Sequence, residues 1–410
     1  MAMRGGGLVR VRLVQLAIPV LAASACNVES RVPAFETTDS AGVVVVSNRR
    51  PAGGIDTLLQ IASSPILAIG SEESGAELYR VVDTKHLTPS VFGVANQGSN
   101  QVLLFDADGS YIRAVGRDGD GPGEFRRLRR LGTSSNGASF WAFDDGLRRL
   151  SVFDLDGELL ASRNIGFLEM GGRDQTFSDV RLTDDGRLVG LDWGHLSAGP
   201  TPGMSLDTAF WAVLEADGSS AVIALLPGAT TVHFEFQGRG VFRTLPLTNV
   251  PSWDFAAGRL YATSGASHEV LEFSLDGRVA RVIRRDLDPE PLTDGVRQDW
   301  QDVVRRAVRG SPEEGDTDAF LSVVPMADAL PVHDAVLIDS EGLLWVQGSR
   351  WEGARPDPPW EVFTAEGRLL GELYMPPRLR VMEIGRDYVL GVWTDGNDVE
   401  YVHRHALYRR

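Results

Sequence analysis

A single cysteine, Cys26, stands in 410 residues. No disulfide can form within the chain, and no zinc site built on cysteine exists. Lysine is as scarce. Lys85 is alone among 40 basic residues, the rest being arginine; we read this as codon bias in a GC-rich genome. The charge is one-sided, with 56 acidic residues and a net charge of −16. A field of that sign repels a phosphate backbone and excludes nucleic acid as a partner. Past the N-terminus no apolar run is long enough to span a bilayer. Several catalytic signatures are missing too. There is no Gly-x-Ser-x-Gly elbow for a hydrolase nucleophile. The seven histidines include no His-x-x-x-His and no His-Glu-x-x-His. Asp106-x-Asp108-Gly109 and Asp154-x-Asp156-Gly157 lack the third acid and the position-twelve glutamate of an EF-hand, so hairpin turns explain them.

What is present begins with an export signal. Arg4, Arg10 and Arg12 precede the apolar run Leu13–Ala25. That run is too short for a transmembrane helix and has the length of a signal peptide core. Ala23-Ser-Ala25 then leads into Cys26, as in bacterial lipoproteins, where the cysteine is acylated and becomes the N-terminus. Ala23 departs from the leucine usual there, and Ala23-x-Ala25 also suits an ordinary signal peptidase. We adopt lipidation at Cys26, with residues 1–25 as signal, 26–40 as tether and 41–410 as the folded domain. Export to the periplasm or outer membrane follows, with secretion if Cys26 is not acylated.

Downstream, one hairpin signal recurs. A β-branched or aromatic run enters Asp-x-Asp-Gly or a near variant, and a second apolar run follows. It appears at Val102–Val115, Leu150–Ala161, Val270–Val282 and Val362–Leu373. Repetition at this spacing, two hairpins per unit, predicts four-stranded blades and an all-β, six-bladed β-propeller. The sixth blade, starting near Arg380, is one strand short. Gly42–Ser47 and Leu58–Ile61 are the free strands, and we expect the first to complete that blade and remove its open edge. One stretch breaks the β pattern. Apolar residues at 296, 300, 303, 304, 307 and 308 have helical spacing, with Thr293 as N-cap. This predicts a helical excursion over about 294–308, followed by an acidic loop, Ser311–Asp318.

Gly116–Phe125 (GRDGDGPGEF), the paired hairpins and the closing Asp387-Tyr-Val-Leu-Gly-Val-Trp393…Asp398-Val-Glu400 resemble exported six-bladed β-propeller proteins of soil bacteria, in the NHL-repeat-like group. The resemblance covers roughly residues 38–410. It implies the fold and an exported address but no catalytic residue. GRDGDGPGEF itself lacks the Lys-Ser/Thr of a phosphate loop and reads as a crossover between blades.

Candidate site residues follow from blade geometry. His333-Asp334 falls at the inner hairpin of blade five, Trp253-Asp254 on the inner strand of blade four, and His195 at a hairpin end of blade three. Trp351 and Trp360, at the Gly/Pro-rich loop Arg350–Pro359, are candidates for surface recognition of a glycan or peptide, with packing as the plainer reading. His403-x-His405 puts two imidazoles on one strand face, with an exposed edge as the plainer reading. We expect a monomeric binding or scaffold module for a peptide, glycan or envelope protein, with no cofactor and membrane contact only through the anchor. The alternative is a hydrolase or lyase for a lactone or sugar derivative. It requires a channel divalent metal held by at least three Asp, Glu, Asn or His side chains from different blades.

Overall fold

Four turns share one construction. Phe105-Asp-Ala-Asp-Gly109, Phe153-Asp-Leu-Asp-Gly157, Phe273-Ser-Leu-Asp-Gly277 and Phe363-Thr-Ala-Glu-Gly367 each shift the strand register at the phenylalanine. Each then places glycine at φ 82–87°, the left-handed region. Asp106 Oδ1 accepts the N–H groups of Asp108 (3.0 Å) and Ser110 (2.9 Å), and Asp154 Oδ1 accepts that of Glu158 (2.9 Å). The aspartates that resemble calcium ligands are therefore turn-forming side chains. The bulge drives each phenylalanine inward, and all four are at most 5% exposed.

These turns join strands into the blades of a computed structural model that describes residues 33–70, 75–134, 137–166, 168–170, 173–193, 203–311, 314–350 and 357–410. The architecture is the predicted six-bladed propeller. The inner strands are Val81–Thr88, Leu128–Thr133, Asp179–Leu182, Ser252–Ala256, His333–Ile338 and Leu379–Ile384, for blades one to six. Second strands such as Val91–Asn96 and Ser139–Asp144 are buried almost throughout. They have blades on both faces, so their apolar residues run on without alternation. Among the described residues the core is six clusters, one for each pair of neighbours around the ring: one and two, two and three, three and four, four and five, five and six, six and one. Each fully buried Phe or Leu in them stabilises the ring by about 1.5–3 kcal/mol.

The ring closes with a different strand from the one expected. Leu59–Ile69 pairs antiparallel with Glu400–Arg409 and completes blade six. Val43–Asn48 instead runs parallel to Val279–Arg285, the outer strand of blade four, and Phe35–Ser40 pairs outside it. Asn48 ties this edge to blade five: its Nδ2 donates to Gly367 O (2.9 Å) and its Oδ1 accepts from Leu369 N (2.8 Å). Ala52 N–H then bonds Leu369 O on blade five (3.0 Å). Residues 35–69 thus strap the rims of three blades.

The helical excursion is present as Asp294–Ala307, capped by the Thr293 side chain. The segment expected to be an acidic loop is instead largely a second helix, Glu314–Val323. Its Phe320 packs on Phe234 and Phe236 of the long strand Ser220–Phe236, which reaches beyond blade three proper. That contact supplies the stability the local sequence lacks.

Candidate functional site

The six inner strands wall a channel cavity of about 450 Å³. Period-two alternation on these strands sends charged side chains toward the axis. Arg130 makes a forked pair with Asp179, Nε to Oδ1 at 2.6 Å and Nη2 to Oδ2 at 2.7 Å. Its Nη1 is 3.9 Å from Asp83. Arg181 reaches Asp179 and Asp254, each at 3.2 Å, and lies 4.7 Å over the Trp253 ring. Lys85 is 3.6 Å from Glu383, which also accepts the Tyr388 hydroxyl proton.

The carboxylates also stitch blades together through the backbone. Asp83 of blade one accepts Leu131 N–H of blade two (3.0 Å), and Asp254 of blade four accepts Ile338 N–H of blade five (2.9 Å). Ser252 Oγ accepts Val336 N–H at 2.9 Å in the same way. Inner strands of neighbouring blades diverge too far for a ladder, and these side chains bridge the gap.

Electrostatics follow from these partners. Burial alone would raise the Asp179 carboxyl, but Arg130 and Arg181 hold it well below the usual carboxylate range. Glu383 is pushed up by burial, with Lys85 only partly offsetting it. Asp334 lines the channel at an exposed edge, yet the atoms crowding it push its carboxyl up to about 6. Burial takes the His86 imidazole down to about 4. Among the described residues no group of three or more His, Cys, Asp or Glu is placed to hold a metal ion.

Of the residues singled out from sequence, Trp253, Asp254 and Asp334 meet in this cavity. His333 does not. It is 5% exposed and points into a separate cavity of about 270 Å³ between blades four and five, beside His268. Its Nδ1 lies 3.2 Å from Thr263 Oγ1, and burial takes its pKa down to about 3. His195, Trp351 and Cys26 lie outside the described residues. Trp360 takes the packing role and not surface recognition: it is 1% exposed and lies between blades five and six. His403 and His405 are not an exposed edge either. They are 8% and 1% exposed, because the closing strand Leu59–Ile69 covers them; His403 stacks on Trp393.

The sequence reading missed Asp83, Lys85, Arg130, Asp179, Arg181 and Glu383. A signal for them existed: charges recur two apart in the strand that opens a blade, where a buried strand carries apolar residues. The crossover GRDGDGPGEF behaves as expected, with Glu124 accepting Gly121 N–H (2.7 Å) and pairing with Arg117.

Comparisons with known proteins agree on the fold. A family model described as a 6-bladed beta-propeller (DUF5128) matches residues 84–179. No curated protein matches the chain. A Bacteroides fragilis protein whose name describes it as exported is 11% identical, with TM-score 0.50 over 89% of this chain and 99% of its own. A DUF4221 family member from Bacteroides vulgatus is 11% identical, with TM-score 0.51 over 86% of this chain and 99% of its own. A virginiamycin B lyase from Staphylococcus aureus, 10% identical, overlays at TM-score 0.41 over 86% of this chain and 99% of its own, a likeness too low to bear on chemistry.

Proposed function

We propose that this chain is an exported binding propeller, anchored by an acylated Cys26, whose channel cavity seats part of a peptide, glycan or envelope protein. The observation that supports it is the charge-matched lining contributed by all six blades, with Trp253 and Arg181 stacked against each other. Asp179 is locked in its ionised form by two guanidinium groups and exchanges no proton near neutrality. Asp254 is held between Arg181 and a backbone donor. The paired Asp179 and Asp254 suit fixed recognition of hydrogen-bonding groups, while Asp334, pushed up to about 6, leaves a titratable group at the edge of the cavity. Export rests on the N-terminal arginines and the apolar run after them.

Trp141 and Trp253 both line the cavity, so its occupation changes intrinsic fluorescence. Titration with envelope-derived peptides and oligosaccharides is expected to give a saturable change that Arg181→Ala weakens. Absence of any saturable ligand, or indifference to Arg181→Ala, counts against the channel as the seat. Metal analysis of the purified protein checks the alternative: one stoichiometric divalent ion would replace the binding reading with a metal-dependent hydrolase or lyase. The mass of the mature protein tests the anchor, an unmodified Cys26 terminus removing it.

A further inference from the structure

A second concavity lies at the rim, where the chain passes from blade six to blade one. It measures about 450 Å³, and Glu77, Tyr79, Gln101 and Tyr111 are among the residues that line it. Tyr79 is 63% and Tyr111 39% exposed. Both rings are held in place from one side. A Cβ added to Gly98 would sit 2.4 Å from Tyr79 Cδ1, so the Tyr79 ring rests directly on that glycine. The Tyr79 N–H donates to Asn96 Oδ1 (2.8 Å), and its carbonyl accepts from Gly98 N (2.9 Å). Tyr111 packs edge-to-face on Phe105, centroids 5.9 Å apart. Two aromatic platforms held this way cost little entropy to use. The polar groups between them are mainly acceptors. Gln101 Nε2 is directed to Gly116 O (3.4 Å), which leaves its carbonyl oxygen. Glu77 offers a carboxylate, and the described residues that line the groove include no lysine or arginine.

We propose that this rim groove binds a neutral polysaccharide, with sugar rings lying on Tyr79 and Tyr111 and hydroxyls donating to Glu77 and Gln101. A pyranose has an apolar C–H face for an aromatic ring and a rim of hydroxyl donors for a carboxylate. A proline-rich peptide also docks on aromatic grooves, but it offers carbonyl acceptors and few N–H donors, and would leave Glu77 desolvated and unbonded. An anionic polymer meets Glu77 and a net charge of −16.

The test is native affinity electrophoresis of the full chain in gels containing glucan, mannan, xylan, polygalacturonate or a polyproline peptide. Retardation by at least one neutral polysaccharide is expected. Tyr79→Ala and Tyr111→Ala each weaken it about tenfold, the scale of one aromatic contact, and Glu77→Gln weakens it without changing the melting temperature. Retardation only by polygalacturonate or polyproline, by no polymer, or equally for the tyrosine variants overturns the proposal. The tyrosine variants leave the channel lining intact, so failure here does not touch the channel reading.

Discussion

Removing Asp179 tests whether the channel charges form one buried unit. In Asp179→Ala the Arg130 guanidinium loses both prongs of its pair, and its remaining acid is Asp83 at 3.9 Å. Arg181 keeps Asp254 alone. The Asp179 side chain is 4% exposed and that of Arg130 24%, so water does little to replace the lost partner. Removing one member of a buried pair costs about 3–5 kcal/mol, against about 0.2–1 kcal/mol for an exposed pair. The geometry places this pair in the first class. Equilibrium urea unfolding, followed by tryptophan fluorescence, is expected to show a lower midpoint at unchanged slope. A second variant separates charge from packing. In Arg130→Met with Asp179→Leu, neither charge of the pair is left stranded, and most of the loss is recovered. A loss below about 1 kcal/mol for the single variant, or a double variant as unstable as the two singles summed, refutes the argument.

Asn48→Ala is expected to lower stability by about 2–3 kcal/mol, because the Leu369 N–H and Gly367 carbonyl lose a buried partner; thermal melts check it, and an unchanged midpoint would mean the strap contributes nothing. Gly132→Ala drives a Cβ to 2.2 Å from Trp141 Cζ2 in the inner strand of blade two. Such overpacking costs about 1–3 kcal/mol and shifts the tryptophan emission. His333, neutral in the fold down to about pH 3, takes up a proton at about 6.5 when unfolded. Its stabilisation is therefore complete above pH 6.5 and is lost as pH falls through that value toward 3. Glu361 and Asp334, pushed up by burial to about 7 and about 6, act with the opposite sign over the same range, so wild type and variant must be compared. His333→Gln should make the slope of stability against pH between pH 6 and 4 less positive by up to about 1.4 kcal/mol per unit; parallel curves would show that His333 titrates normally.

The blades were legible because each hairpin turn is a local event. Phenylalanine, a turn-capping Asp, Ser or Thr, and glycine are written within five residues, as in Phe105–Gly109. The closing strand was not, because choosing a partner edge is non-local. Val43–Val46 has the purer β-branched sequence, yet Leu59–Ile69, interrupted by Ser63-Ser64-Pro65, takes the edge of blade six. Proline is tolerated on such an outer strand, and its presence hides the pattern. The helix Glu314–Val323 was missed because its N-terminal half is acidic and contains Gly315, and its anchor, Phe320, finds its partners in another blade. In the channel, sequence pointed to Trp253, Asp254 and Asp334, each beside a readable strand end. The Arg130–Asp179–Arg181 chain was not apparent, since two strands from different blades must be brought side by side before the pairing exists.

The strap sets an order of assembly. Val43–Asn48 and Leu59–Ile69 leave the ribosome before the blades, yet their hydrogen-bonding mates in blades four, five and six lie between residues 279 and 409. Until those are made, the leading segment waits without a berth, and the toroid is a broken annulus with exposed flanks on its end blades. Residues 400–409 are therefore the latch: losing that one terminal ribbon would unmoor Leu59–Ile69 as well, so a short truncation would open a seam through the full height of the disc.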